Sequence, residues 1–162
     1  ASALLARQDL NAGQRPVCLH IGARRLMMEG KMWPLHNFSE LAAKLVERGY
    51  IPLITGVDSE REMAETLCDS VHVCRNLAGC TSIGEMAALI SLADLFIGHD
   101  SGPFHIAAAV GTPCVAICGR PDAEPEYLNY GRDDVAVITA DRPGEIAVDE
   151  VFSRAMVLSR HG

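Results

Sequence analysis

Residues 94–119, DLFIGHDSGPFHIAAAVGTPCVAICG, constrain the fold more than any other stretch of the chain. Leu95, Phe96 and Ile97 form a short, bulky apolar run, the pattern of a buried strand, and Gly98 is expected to close it. His99, Asp100, Ser101, Gly102 and Pro103 then read as a tight polar turn, and residues 104–110 as an apolar helix. Gly111 marks the place where that helix stops, Pro113 keeps it from restarting, and residues 114–118 form the next strand, ending at Gly119. Strand, tight turn, helix and strand make up the repeating unit of an open α/β sheet.

In such a unit the turn lies at the carboxyl edge of a parallel sheet, where ligands bind, and the new helix aims unpaired N–H groups outward. An anion is the natural guest. Asp100 or Ser101 can occupy the N-cap, Gly102 permits close approach to the backbone, and Pro103 gives up an N–H that had no helical partner. The same residues admit a plainer account, in which Asp100 and Ser101 only cap the helix and His105 only fills a core gap. Local physics leaves both open.

A chain of 162 residues with 49% hydrophobic content is expected to make one compact domain. The formal charge of −7, with no Lys/Arg run interleaved with aromatics, argues against nucleic acid as a partner. No apolar run reaches the roughly 18 residues of a membrane span, and no cleavable signal pattern opens the chain, so a cytoplasmic location is expected. Of the six cysteines, Cys18, Cys114 and Cys118 lie in strand-like runs, and none forms a C-x-x-C pair. Cys74 and Cys80 near His72 match no common zinc spacing, so buried, reduced thiols and no metal are expected.

Residues 1–14 read as a linker, and residues 15–162 as the domain. Residues 16–20 are the first strand candidate. A basic, Met-rich loop then leads to Lys31, Met32, Trp33 and Pro34, with Lys31 as the residue of chemical interest. Phe38, Leu41, Ala42, Leu45 and Val46 have helical spacing, and Gly49 closes that helix. Residues 50–55 form the second strand, followed by a helix capped by Asp58 or Ser59. Glu60, in the first turn, either favours the helix dipole or accepts the hydroxyls of a ribose just past the sheet edge. Residues 71–74 are expected as a third strand. Ser82 and Glu85 have capping-box spacing ahead of a further helix.

Residues 120–134 read as a long loop with one helical turn, residues 135–139 as the last strand, and Val148 onward as a terminal helix. The alternation predicts a doubly wound, Rossmann-like parallel sheet with helices on both faces. No GxGxxG follows the first strand, which argues against NAD.

Several spaced pieces together carry a resemblance. They are Lys31-x-Trp33-Pro34, Thr55-Gly56 followed by Glu60, Asn76-Leu77-x-Gly79 with Thr81-Ser82, and Asp100-Ser101-Gly102-Pro103 with His105, Ala107, Ala108, Gly111, Thr112 and Pro113. Over residues 16–160 the chain resembles the carboxyl-terminal half of the heptosyltransferase-like glycosyltransferases of family 9, which have the two-domain GT-B architecture. That resemblance implies the donor-binding domain of an inverting enzyme that transfers a sugar from a nucleotide-sugar, typically ADP-heptose, to a lipopolysaccharide-type glycolipid acceptor. It implies no metal or other cofactor, and places the acceptor and the catalytic base in an amino-terminal domain, so that this chain alone is inactive. The whole enzyme would be cytoplasmic, or peripheral at the cytoplasmic face of the inner membrane.

The resemblance also assigns roles. Lys31 reaches the diphosphate, Ser101 and Gly102 offer it backbone donors, and Glu60 takes the ribose. Asp100 and His105 face the sugar or leaving phosphate as donor-side catalytic support, and the loop 76–82, with Gly79, borders the base. The chain departs from its relatives in two places. Arg24, Arg25, Leu26, Met27 and Met28 fill a longer loop, where Arg24 or Arg25 can replace the relatives' phosphate contacts, and Gly119-Arg120-Pro121 stands where the relatives continue Gly-Pro-Thr. The alternatives are a stand-alone nucleotide or sugar-phosphate binding module without catalysis, and a GT-B-fold nucleotide-sugar epimerase.

Overall fold

The computed structural model describes residues 13–22, 32–120 and 125–159. Six parallel strands alternate with helices: β1 (Arg15–His20), α1 (Leu35–Glu47), β2 (Tyr50–Thr55), α2 (Arg61–Ser70), β3 (Arg75–Asn76), α3 (Ile83–Leu92), β4 (Leu95–His99), α4 (Gly102–Ala109), β5 (Cys114–Cys118), the short α5 (Pro125–Leu128), β6 (Val135–Thr139) and α6 (Val148–Leu158). The sheet order is β3-β2-β1-β4-β5-β6. The chain winds outward from β1 to β3, crosses back to β4 beside β1, and winds outward again, so the winding direction switches between β1 and β4. This is the expected doubly wound Rossmann-like fold, and such switch points are where open α/β sheets hold ligands.

The sheet is buried on both faces because its side chains alternate between two apolar clusters. Val17, Leu19, Ile97, Val115 and Ile117 join α1, α2 and α6 on one face. Cys18, Leu53, Phe96, Cys114 and Ala116 join α3 and α4 on the other. A continuous apolar run buried on both sides is the signature of a parallel strand.

Three expectations about the elements need correction. Residues 71–74 are not the third strand. The Val71 N–H is still taken by Leu67 O and Cys68 O at the end of α2, and Cys74 N–H turns back to Val71 O, so pairing starts only at Arg75. Gly98 does not end β4, since it pairs with His20 on one side and Ala116 on the other. Its role is close packing: a Cβ there would lie 3.1 Å from His20 Cβ and 3.1 Å from Phe96 Cζ. Neither Asp58 nor Ser59 caps α2 with its side chain. A 3₁₀ turn, Asp58–Glu60, precedes the helix, and Glu60 reaches back to accept the Val57 N–H at 2.8 Å.

The thiols are free, with Cys18, Cys74, Cys114 and Cys118 buried, Cys68 half-buried and Cys80, against expectation, exposed. Burial pushes Cys18 and Cys114 up to about 12, which makes them inert packing residues. Of the expected linker, residues 1–12 lie outside the described residues, as do Arg24, Arg25 and Lys31.

Candidate functional site at the carboxyl edge of the sheet

Two corners form where the strands end, one on each side of β1. At the first, the Glu60 carboxylate is folded onto the ends of β1 and β2 and is only 5% exposed. Glycines make this placement physically feasible. A Cβ on Gly22 would fall 1.8 Å from Glu60 Oε1, and one on Gly56 2.6 Å from Oε2. Gly79 reaches the same corner, its N–H bonded to Gly56 O at 2.9 Å. Its φ of +71° and the 2.8 Å approach of Asp58 Oδ1 to any added Cβ both require glycine. Asn76 Oδ1 accepts the Ala78 N–H and its Nδ2 donates to Arg61 O, which folds the 76–79 loop onto the start of α2.

The second corner is the start of α4. Ser101 holds the N-cap position in an extended conformation, but its hydroxyl donates backward to His99 O at 3.2 Å and does not cap the helix. The N–H groups of Phe104 and His105 return to Ser101 O at 3.0 and 3.3 Å. The Ser101 and Gly102 N–H groups have no hydrogen-bond acceptor among the described residues, and a Cβ on Gly102 would meet nothing within 4 Å. These amides lie at the positive end of the helix dipole, where an open helix start can receive an anion.

Asp100 lies beside them, its side chain 14% exposed. The Asp100 N–H donates to Ile117 O at 3.3 Å, fixing the residue between β4 and β5. One carboxylate oxygen receives Arg120 Nη2 at 2.7 Å, and the other faces His105 Nε2 at 3.6 Å. A hydrogen bond to the Cys118 side chain, and then the charge of Asp100, hold Arg120 above its ordinary pKa. His105 Nδ1 meets the Tyr130 hydroxyl at 2.5 Å. Burial, and then Asp100, push the Tyr130 phenol up, so it stays protonated near neutral pH. Tyr130 has a φ of +55°, and two residues on, Arg132 donates to Ala108 O at the other end of α4 and pairs with Asp134 at 2.7 Å. The 129–134 segment thus contacts α4 at His105 and again at Ala108.

Beneath the switch point lie two neutral histidines. His20 Nδ1 is 3.1 Å from Thr55 Oγ1, and burial, reinforced by His99, lowers its pKa to about 4. His99 is fully buried and its Nε2 accepts the Trp33 N–H at 2.8 Å. Its Nδ1 makes no hydrogen bond of good geometry among the described residues, and the Gly22 backbone is the group that influences the ring from that side. Burial lowers the His99 pKa to about 4, opposed by a weaker upward influence of the Gly22 backbone. Trp33 is pinned a second time by its indole N–H, 2.9 Å from Ile146 O, and stacks edge-on against Phe38. Sequence reasoning named Trp33 only as part of a motif and assigned no role to Arg120, Tyr130, His20 or His99. Glu60 was reached from its place in the first turn after β2 and from the Thr55-Gly56 pair ahead of it, whereas the room that Gly22 leaves for its carboxylate gave no signal in the sequence.

Among the described residues no group of three or more His, Cys, Asp or Glu side chains is placed to hold a metal ion, and no helix is long and apolar enough to cross a membrane.

An open sheet of six parallel strands whose winding switches direction between β1 and β4 defines a Rossmann-like α/β domain. The family model of glycosyltransferase family 9 (heptosyltransferase) matches residues 2–144, and the chain belongs to that family. It is 33% identical to lipopolysaccharide heptosyltransferase 2 of Escherichia coli (strain K12) over 109 residues, which are 63% of this chain and 31% of that relative. It superposes on the solved E. coli ADP-heptose lipopolysaccharide heptosyltransferase II with a TM-score of 0.82 and 24% identity, covering 97% of this chain and 50% of that one. A second solved structure, E. coli heptosyltransferase WaaC with ADP, gives a TM-score of 0.75 at 21% identity and covers 91% of this chain and 45% of the other. The chain therefore spans about a third of the curated relative and about half of the solved chains, and the fold is one half of a GT-B architecture.

Proposed function

We propose that this chain is the donor-binding domain of an inverting glycosyltransferase that takes a sugar, heptose by family likeness, from a nucleoside diphosphate. The acceptor is a lipopolysaccharide-type glycolipid, and turnover needs a second, amino-terminal domain that holds the acceptor and the base. The enzyme works in the cytoplasm or at the inner face of the membrane, without a metal. The observation that carries this reading is the pair of uncapped amides at Ser101 and Gly102, facing the carboxyl edge on the opposite side of β1 from Glu60.

Adjacent strands are about 4.8 Å apart, so the two corners lie within about 10 Å of each other, comparable with the reach from a ribose diol to a pyrophosphate. In this reading Glu60 accepts the ribose hydroxyls, the 76–79 loop with Gly79 borders the base, and the α4 amides and Lys31 take the diphosphate. Arg24 or Arg25 adds phosphate contacts. Asp100 and His105 stand beside the leaving phosphate, where negative charge grows as the glycosidic bond to it breaks. Donor binding, in place of a catalysis-free module, is supported by the family membership and by the likeness to a heptosyltransferase solved with ADP.

Thermal-shift and calorimetric titration with ADP, UDP, GDP and CDP tests the proposal. ADP at a hundred times its Kd is expected to add about 2.7 kcal/mol of stability. Lys31→Ala is expected to weaken ADP binding by about 1.5–3 kcal/mol, the range for a charged hydrogen bond. If no nucleoside diphosphate shifts the melting temperature at millimolar concentration, the reading is wrong.

A further inference from the structure

Resting on the donor-domain reading, we propose that Arg120 is a further donor-binding residue: Asp100 holds its guanidinium beside the α4 amides, and the N–H groups not bonded to Asp100 take a phosphate oxygen of the diphosphate. Asp100 poses the problem that Arg120 solves. An ionised, largely buried carboxylate next to an anion-binding helix start repels the ligand that start is shaped for. At about 5 Å and an effective dielectric near 20, the repulsion per unit charge is of the order of that between two ordinary surface ions in close contact. Arg120 Nη2, 2.7 Å from Asp100 Oδ2, cancels that charge.

The second carboxylate oxygen faces His105 Nε2, whose ring is fixed from the other side by Tyr130. When the Tyr130 hydroxyl donates to Nδ1, the imidazole proton is on Nε2 and points toward Asp100. One oxygen of Asp100 thus takes the guanidinium and the other faces the His105 ring at 3.6 Å, which sets the carboxylate to hold Arg120.

The geometry also leaves Arg120 with donors to spare. A guanidinium carries five N–H groups in a planar fork, and that fork matches a phosphate in two-pronged geometry better than an ammonium does. Arg120 is 49% exposed at the side chain while its Asp100 partner is 14% exposed, so the pair presents its cationic end outward at the sheet edge. The Asp100 N–H bond to Ile117 O sets the turn before α4 against the end of β5, and Arg120 emerges three residues later in the chain. The guanidinium end of the pair is half-exposed and screened by water, so much of its donor capacity is left to a ligand and not to the fold.

A double-mutant cycle with ADP as the probe separates direct contact from charge cancellation. Arg120→Gln is expected to raise the Kd for ADP about ten-fold or more, with a melting temperature close to that of the parent. Arg120→Lys keeps the charge and loses the fork, and is expected to bind ADP at least about three-fold more tightly than Arg120→Gln. The deciding variant is Arg120→Gln with Asp100→Asn, in which no uncompensated carboxylate remains. Direct contact predicts that it still binds ADP about ten-fold more weakly than Asp100→Asn alone, the fourth corner of the cycle. Equal affinity of the double variant and Asp100→Asn, or equal affinity of Arg120→Gln and parent, overturns the inference and leaves the donor-domain reading standing. A parent chain that binds no nucleoside diphosphate removes the donor-domain reading, and this inference with it.

Discussion

The starts of α3 and α4 both follow a serine, and they are finished in opposite ways. At α3 the Ser82 hydroxyl accepts the Glu85 N–H at 3.3 Å, while the Glu85 carboxylate accepts the Ser82 N–H at 2.9 Å. Two orphan amides are satisfied by side chains one turn apart, and the helix start is closed from within. At α4 the serine side chain turns away to His99 O, the first helical residue is glycine and the second is proline. The nearest carboxylate, Asp100, is drawn off by Arg120 and His105 instead of capping the helix. The difference teaches that a helix start stays open when neighbouring side chains are engaged elsewhere, since the amides themselves are orphaned in both helices.

The largest expected effect lies under the strand that delivers α4. His20 and His99 have pKa values lowered from 6.5 to about 4 by burial. Between those values the unfolded chain binds protons that the folded chain refuses, so stability rises with pH through this window, is complete above it and is lost as pH falls. Each histidine accounts for about 3 kcal/mol across the window. Urea unfolding at a series of pH values between neutrality and the lower end of the window should show the midpoint falling steeply. His99→Gln, which keeps an acceptor for the Trp33 N–H, should remove about half of that slope. A flat profile would mean that the support beneath α4 is no more pH-sensitive than that beneath α3.

Closing α4 in the manner of α3 comes next in size. Ser101→Asp supplies a carboxylate at the open amides and is expected to stabilise the fold by about 0.3–1 kcal/mol while weakening ADP binding about ten-fold. Thermal melts and calorimetry on the one variant read both effects, and a rise in stability with ADP affinity unchanged would show that those amides are not where the nucleotide binds.

The smallest effect is the converse. Ser82→Ala opens α3 and should cost about 1 kcal/mol of stability, leaving the ADP affinity unaltered. If Ser82→Ala weakened ADP binding and Ser101→Asp did not, the two helix starts would have exchanged roles.

What could be read from the chain alone depended on how far apart the partners lie. The Ser82–Glu85 box was legible because its atoms are three residues apart, and strands β2 and β5 because their bulky runs end at Gly56 and Gly119. The third strand was misplaced because Val71 and Cys74 look like strand residues, while the competing helix carbonyls that claim the Val71 N–H leave no pattern in composition. Glu60 was found, but what holds it was not, because Gly22 is 38 positions away in sequence and is brought near only by the pairing of β1 with β2.

The sequence by itself determined the alternation of strands and helices, the family, and the residues Asp100, Ser101, Gly102 and His105 at one turn, because periodicity, glycine placement and capping act over a few residues. Only the tertiary structure decided which of those groups are left available. Arg120 reaches Asp100 across 20 residues, Tyr130 reaches His105 across 25, and Trp33 is pinned by His99 and Ile146 across 66 and 113. Those partners meet because parallel strands carry distant stretches of chain to a single edge, and which side chain pairs with which there depends on distances in space that no local spacing encodes.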